Sequence, residues 1–194
     1  MRSIFGILKG SKVIFVNPAN SLGHASESPP PPRPTVDLDA VRAALDSTDP
    51  ARAAITALVA YHGLRSHHLR GLQLTDFRDR HLYLDGRAIP LAEPVRHRVA
   101  AWLDHRTERW PTSTNSHLFI HFRTAHRDEP VGIRWVFLTL NLAGGAQALR
   151  ADRILHEATA TGGDPRRLCD LFGLSIQHAT RYTDAIAEPT LVDR

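Results

Sequence analysis

Lysine is almost absent from this chain, although the chain is rich in basic residues. Of its 24 Lys and Arg residues only Lys9 and Lys12 are lysines, so nearly all of the positive charge belongs to arginine. Arginine stays protonated at any accessible pH and matches a phosphate with its planar fork of donors. With a formal net charge of +4 and a pI ≈ 9.8, the composition fits a nucleic-acid partner and a coding bias toward arginine equally well.

Cysteine and long apolar runs are scarce as well. The single cysteine, Cys169, excludes an internal disulfide and a cysteine-cluster zinc site. No stretch approaches the roughly 20 apolar residues that a membrane helix needs. Gly10, Ser11 and Lys12 interrupt the apolar start of the chain and make it a poor secretory signal. We therefore expect a soluble, cytoplasmic protein.

Proline marks the division of the chain. Residues 26–34 read SESPPPPRP, and four consecutive prolines favour an extended, semi-rigid linker. We expect a short N-terminal segment over residues 1–22, the Pro-rich linker over 23–34, one compact domain over 35–188 and a tail over 189–194. An apolar fraction of 42% is sufficient for a packed core in that domain.

Capping signals and periodicity predict an α+β domain that is mainly α, with a small antiparallel sheet. Asp37 and the pair Asp49-Pro50 are typical helix starts, and Gly63 is a typical helix end. Asp85-Gly86 predicts a two-residue turn in a hairpin over residues 81–90, and residues 117–121 predict a third short strand. Further helices are predicted over residues 66–71, 93–109, 132–143, 148–160, 165–172 and 175–183.

Two segments of the chain resemble conserved boxes of the tyrosine recombinases, the phage-integrase family. Residues 51–76, ARAAITALVAYHGLRSHHLRGLQLTD, resemble the first box, and Arg65 falls on the family's first catalytic arginine. Residues 162–182, GGDPRRLCDLFGLSIQHATRY, resemble the closing segment, and Tyr182 falls on the nucleophile. The opening IFGILKGSKVIFVNPA is similar to the last helix of the family's core-binding domain, so residues 1–22 would be a remnant of it.

The resemblance implies a catalytic domain over residues 35–188 that performs site-specific DNA recombination or integration. In this family a tyrosine attacks a DNA phosphate and forms a 3′-phosphotyrosyl intermediate, which a second strand then resolves. The implied partner is double-stranded DNA, on which such proteins assemble as multimers. No metal, small-molecule cofactor or membrane is implied, because fixed arginines supply the positive field around the phosphate.

The chain departs from the family pattern at several sites. The second box normally reads His-x-x-Arg-His; here either Arg150 or Arg153 can take the position of its arginine, and both placements stay open. The family's hairpin lysine, the general acid, is missing. Arg87 lies on the hairpin and can supply charge, but a guanidinium is a poor proton donor. Leu174 replaces a histidine of the last box, and His68 replaces the acidic residue three positions after Arg65.

Two histidines are candidates for proton transfer. His178 precedes Tyr182 by four residues and would share a helix face with it, and His156 follows Arg153 by three. The candidate catalytic set is thus completed by these histidines, whereas contacts with the DNA backbone are expected from Arg87, Arg166, Arg167 and Arg181.

Two other interpretations remain. The missing lysine and the altered histidine positions favour a catalytically decayed, truncated recombinase remnant that retains only DNA binding. A helical protein-interaction module is the other. A metal site is not predicted, because His62, His67 and His68 lack an accompanying carboxylate signature for zinc.

Overall fold

A computed structural model describes residues 36–187 of the chain. Within that range it contains eight α-helices and three short strands. The helices are α1 (Leu38–Leu45), α2 (Pro50–His62), α3 (Ser66–Gly71), α4 (Glu93–Arg109), α5 (Ile133–Leu140), α6 (Gly145–Ala160), α7 (Pro165–Phe172) and α8 (Ile176–Ala187). The strands are β1 (Phe77–Arg78), β2 (His81–Leu84) and β3 (Arg87–Pro90), preceded by a 3₁₀ turn over Leu74–Asp76. The prediction of a mainly helical α+β domain is confirmed.

Side-chain caps set the helix starts as the sequence predicts. The carboxylates of Asp37, Asp49 and Asp164 accept backbone N–H groups in the first turns of α1, α2 and α7, and a proline follows each of the last two. Gly63 and Gly173 end α2 and α7 in the left-handed conformation, with φ of 59° and 60°. The chain reverses direction at each of these glycines. The turn at Gly63 leads to α3, and the turn at Gly173 leads to α8.

The sheet is antiparallel in the order β1-β2-β3. Leu82 pairs with Phe77 on one side and with Ile89 on the other, which buries the apolar centre of the sheet. The β2–β3 connection is the predicted two-residue turn, with positive φ at Asp85 (51°) and Gly86 (73°).

The third strand lies elsewhere than predicted. The third strand of the sheet is β1. The prediction of a strand over residues 117–121 was wrong, because His117 forms only an isolated bridge with Gln73. Leu118 donates its N–H to the carbonyl of Leu72, so this segment pairs with the loop before the sheet. Its next three apolar residues, Leu118, Phe119 and Ile120, are all fully buried. A short apolar run buried on every side carries no alternation that distinguishes a strand from a core segment.

Three helix boundaries also differ from the predicted ones by three residues or more, and one of them is the end of α8, which lies at Ala187 instead of residue 183. Helix α5 ends at Leu140, because Asn141 adopts a left-handed conformation (φ 42°) and closes the helix. Helix α6 begins at Gly145 instead of residue 148, after Gly144 with φ of 71°. Ala148 already donates its N–H to the carbonyl of Gly144, so helical hydrogen bonding starts before the apolar pattern does.

The buried apolar residues form two clusters. The larger joins α2, α4 and the sheet, and includes Trp102, whose indole N–H donates to the carbonyl of Leu118 at 2.9 Å. The smaller consists of Ile154, Ala158, Leu168, Phe172 and Ala179, from the second half of α6 and from α7 and α8. The C-terminal helices therefore have a small apolar core of their own.

The described residues cover the compact domain expected over residues 35–188, apart from its two end residues. The predicted N-terminal segment (1–22), linker (23–34) and tail (189–194) lie outside the described residues, so the proposed division of the chain stays a prediction. Between residues 36 and 187, none of the helices combines the length and hydropathy that a membrane crossing requires.

Asn115 organises the long connection between α4 and α5. Nδ2 of its buried amide shares its two hydrogens among the carbonyls of Thr124, Arg127 and Glu129, at 2.8, 2.6 and 2.9 Å, and its carbonyl oxygen accepts the N–H of His117 at 2.8 Å. One polar side chain thus links several backbone groups that are distant from one another along this loop.

We expect Asn115→Ala to lower the free energy of unfolding by about 3 kcal/mol, because it leaves several loop carbonyls buried without a donor. Urea unfolding followed by circular dichroism measures the change. Thr114→Ala, at the exposed neighbouring position, is the matched control and should stay within about 0.5 kcal/mol of the unsubstituted chain. Equal stability of the two variants would contradict the role given to Asn115.

Candidate active site

Arg65 lies where the chain passes from α2 into α3. Gly63 ends α2 in a left-handed turn, and the next residue, Leu64, is buried in the larger cluster. Arg65 then occupies the position before the first residue of α3 and is exposed. The buried leucine on one side and the helix on the other hold this guanidinium at the surface.

Arg150, on α6, joins two distant segments of the chain. Its Nη1 donates to the carbonyl of Gly63, and its Nη2 donates to the carbonyl of Phe172 at 3.0 Å. The side chain is 6% exposed. Burial is the main cause that lowers the pKa of Arg150 to about 10, followed by the positive charge of Arg65, so the guanidinium stays protonated at neutral pH.

Tyr182 lies on α8, and its charge state acts on the buried Arg150. Its half-buried ring packs against the smaller cluster, and its negative form would raise the pKa of Arg150, which places the phenol within electrostatic reach of the guanidinium. His178, one turn earlier, is exposed, and its Nδ1 lies 2.7 Å from the hydroxyl oxygen of Ser175. The spacing of four residues puts His178 and Tyr182 on one side of the helix.

Arg87, the first residue of β3, reaches the end of α7. Its Nη1 donates to the carbonyls of Leu171 and Asp170 at 3.1 and 3.4 Å. The contact is close: a Cβ atom at Gly173 would lie 2.8 Å from Nη2 of Arg87. The charge of Arg87 also lowers the pKa of Arg150.

These contacts define an arginine cluster, which consists of Arg65, Arg87 and Arg150, next to the phenol of Tyr182. Three guanidinium groups in electrostatic contact repel one another until an anion binds. Their donors and fixed charges suit an oxyanion such as a phosphodiester, whereas they exclude a cation. Among the residues between 36 and 187, no group of three or more His, Cys, Asp or Glu side chains is arranged as metal ligands.

His68 and Asp85 lie at the edge of the arginine cluster, and sequence reasoning assigned neither to the site. Nε2 of His68 is 3.4 Å from Oδ2 of Asp85, which is also 3.6 Å from Nη2 of Arg87. Burial and the charges of His67, Arg65 and Arg150 lower the pKa of His68 to about 4, against the opposing effect of Asp85. The only signal in the sequence was the position of His68, three residues after Arg65.

Arg153 and His156 are not brought into the arginine cluster. Arg153 forms an ion pair with Glu157 at 2.7 Å and donates from Nε to the carbonyl of Tyr61 at 3.1 Å, with its guanidinium 5.6 Å from the ring centroid of Phe172. His156 is exposed on α6. Of the two arginines that the sequence left open, Arg150 is thus the one that belongs to the arginine cluster.

The other three arginines expected to contact DNA lie on α7 and α8. Arg166 is exposed in the first turn of α7, and Arg167 forms an ion pair with Glu157 at 3.2 Å. Arg181 is half-buried and directly precedes Tyr182. Their contacts with DNA stay a prediction.

The architecture is similar to that of several solved recombinases. The crystal structure of XerA recombinase matches over 76% of this chain and 59% of its own, with a TM-score of 0.63 and 19% identity. XerH site-specific recombinase, bound to its difH substrate in a pre-cleavage complex, matches over 81% and 53%, with a TM-score of 0.60 and 16% identity. A lambda integrase dimer bound to a COC′ core site matches over 99% and 59%, with a TM-score of 0.54 and 18% identity.

This chain has the tyrosine-recombinase catalytic fold. It spans less than two thirds of the length of XerA and XerH. No protein-family model and no curated protein sequence matches it. Gly63 and Phe172 belong to the two segments that resemble conserved boxes of the family. Arg150, a member of the arginine cluster, donates hydrogen bonds to the backbone carbonyls of both.

We expect Arg150→Lys to lower the free energy of unfolding by about 3 kcal/mol, because a single amine cannot reach the carbonyls of both Gly63 and Phe172. Urea unfolding measures the loss. Arg134→Lys, on the exposed face of α5, is the matched control and should leave stability within about 0.5 kcal/mol. If both variants unfold at the same urea concentration, the bridging role of Arg150 is wrong.

A second prediction concerns pH. Burial, followed by the charge of Arg153, lowers the pKa of His62 from 6.5 to about 4, and its Nε2 accepts the N–H of Ala92, which only a neutral ring can do. As the pH falls, His62 is therefore protonated in the unfolded chain before it is protonated in the folded one. The contribution of His62 to the free energy of unfolding is fully present above pH 6.5 and decreases by about 3 kcal/mol as the pH approaches 4.

Unfolding free energies at several pH values between 7.5 and 5 test this effect. His62→Gln removes the titration and retains an acceptor for Ala92, so the pH slope should fall without vanishing, because His68 and His121 contribute with the same sign. His97→Gln, at an exposed position on α4, should leave the slope unchanged. An unaltered slope in the His62 variant would refute the assignment.

Proposed function

We propose that this chain performs site-specific DNA recombination or integration, and that it cleaves and rejoins DNA through a 3′-phosphotyrosyl intermediate on Tyr182. One observation carries the proposal: Arg150 is buried between the two resembling segments, within electrostatic reach of Arg65, Arg87 and Tyr182. A phenol beside converging guanidinium groups is what attack on a phosphodiester requires.

The chemistry divides among these residues as follows. The oxygen of Tyr182 attacks phosphorus and forms a P–O bond, the bond to the 5′-oxygen breaks, and the phenolic proton passes to His178 or to water. A phenol is a weak nucleophile at neutral pH, so the removal of its proton matters. The arginine cluster stabilises the negative charge that builds up on the non-bridging oxygens. Arg153 has a supporting role, because Glu157 and the carbonyl of Tyr61 hold it.

The proposed partner is double-stranded DNA, on which the chain would act as a multimer. XerH was solved with its difH substrate, and lambda integrase was solved as a dimer on a core site. The arginine excess of this chain supports a partner of the same kind, because phosphate contacts dominate the affinity for DNA.

A DNA-binding domain without chemistry is the second candidate. It is favoured by the hairpin, which carries Arg87 and no lysine, and by the bonds that tie Arg87 to the carbonyls of Leu171 and Asp170. A guanidinium in that position can hold a phosphate, but it does not readily release a proton.

Covalent trapping on DNA separates the two candidates. Duplexes that the protein binds are first selected from a randomised 30-bp pool, and a nick is then introduced so that cleavage is irreversible. The unsubstituted chain should form an adduct that survives denaturation, whereas Tyr182→Phe should bind the duplex and form none. Tyr83→Phe, on β2, is the matched control and should form the adduct.

Each result decides one point. An adduct in the Tyr182→Phe variant would remove Tyr182 from the mechanism. Tight, salt-sensitive binding by the unsubstituted chain without any adduct would favour the DNA-binding domain over the recombinase.

A further inference from the structure

The carboxylate of Glu157, on α6, binds two arginines that belong to different helices. Its Oε2 lies 2.7 Å from Nη2 of Arg153, on the same helix, and its Oε1 accepts from Nε of Arg167, on α7, at 3.2 Å. The side chain of Glu157 is only 12% exposed, so water competes little for either oxygen. Hydrogen bonds between two charged groups are among the strongest in proteins. The proposed chemistry assigns no task to this carboxylate.

Glu157 is ionised in the folded domain. Burial would raise the pKa of its carboxyl group, but the hydrogen bonds and charges of Arg153 and Arg167 outweigh that effect and lower the pKa below its ordinary value. Both ion pairs are therefore present at neutral pH. Arg153 also donates from Nε to the carbonyl of Tyr61, in the last turn of α2, at 3.1 Å. The carboxylate of Glu157 thus connects α6 with α7 and, through Arg153, with the end of α2.

Helix α7 is attached to α6 near both of its ends. Arg150 donates to the carbonyl of Phe172, the last residue of α7, and Glu157 binds Arg167, the third residue of α7. Arg150 and Glu157 are seven residues apart, which is two turns of α6, so both lie on one side of that helix. A helix with a single attachment can pivot about it, whereas two attachments along its length fix its direction.

The direction of α7 governs the position of Tyr182. Gly173 ends α7, and only residues 174 and 175 separate it from the first residue of α8. The two helices pack against each other, and Tyr182 packs against the smaller cluster that they share with α6. This cluster consists of only five buried apolar residues within the described range 36–187, so polar contacts matter for holding α7 in place. An ion pair that fixes α7 therefore also fixes the helix that carries the phenol.

Taking the proposed function as its basis, we propose that Glu157 is a positioning residue, which sets the place of the Tyr182 phenol relative to the arginine cluster by holding α7 through Arg167. Its carboxylate acts on the reaction only through that contact. Attack on phosphorus depends steeply on geometry, because a misplacement of about 1 Å can lower a rate by about 100-fold. The negative charge of Glu157, by contrast, adds nothing to the affinity for DNA, which positive side chains provide.

The experiment separates the rate of adduct formation from the affinity for DNA. Each variant is given the nicked duplex of the selected sequence at a saturating concentration, so that a change in affinity does not alter the rate. The dissociation constant is measured separately by gel-shift titration. The variants are Glu157→Gln, Arg167→Gln and the double variant. Asp152→Asn, which removes one negative charge from another face of α6, is the matched control.

We expect Glu157→Gln to form the adduct about 30-fold more slowly at saturating duplex and to bind the duplex at least as tightly as the unsubstituted chain. Arg167→Gln should show a similar loss of rate, and it remains informative if Glu157→Gln does not fold, because the Arg167 side chain is 57% exposed. The double variant should stay within about 3-fold of the slower single variant, since both substitutions break the same contact. Asp152→Asn should react at the rate of the unsubstituted chain.

Three results would overturn this inference and leave the proposed function intact. The first is an unchanged rate in both single variants, and the second is a pair of rate losses that multiply in the double variant. The third is an equal loss of rate and affinity in Glu157→Gln, which would show that the carboxylate serves only the folding of the domain. No adduct from the unsubstituted chain would overturn the proposed function itself, and this inference with it.

Discussion

The candidate active site depends on the hydrogen bonds of one buried guanidinium group, that of Arg150. Arg150 donates to the carbonyl of Gly63, at the end of α2, and to the carbonyl of Phe172, at the end of α7. These two helix ends belong to the first and the last of the resembling segments. Arg65 follows the first of these helix ends and Tyr182 lies on the helix after the second, so the bonds of Arg150 tie together the two segments that carry the candidate site residues.

The same arrangement stores electrostatic repulsion. Arg65 and Arg87 both act on Arg150, and burial makes the interaction stronger than it would be in water. Carbonyl oxygens and a single carboxylate, that of Asp85, offset part of this repulsion in the free protein. A bound oxyanion would relieve the rest, which is the electrostatic basis of the proposed phosphodiester site.

Local rules predicted most of the fold and part of the site. Asp49 and Asp164 cap helices that Gly63 and Gly173 end, because capping depends on residues within one turn. The choice between Arg150 and Arg153 could not be made locally, since it depends on which side chain meets carbonyls that are distant in sequence.

The pairing of His68 with Asp85 was missed for the same reason. A helix and a hairpin turn bring these two residues together, and the sequence shows no pattern that links them. The misplaced strand over residues 117–121 has a different origin: a fully buried apolar run looks the same whether it belongs to a sheet or to a loop.

The division of the apolar core has a consequence for behaviour on warming. Within residues 36–187, the helices that carry Tyr182 rest on the smaller cluster of five buried apolar residues, whereas Arg65 and the hairpin adjoin the much larger cluster. Regions with fewer buried apolar contacts open at lower free energy than the rest of a domain. Under the proposed function, chemistry and DNA binding therefore need not have the same thermal limit, because α8 can open at a temperature at which the larger cluster is still folded.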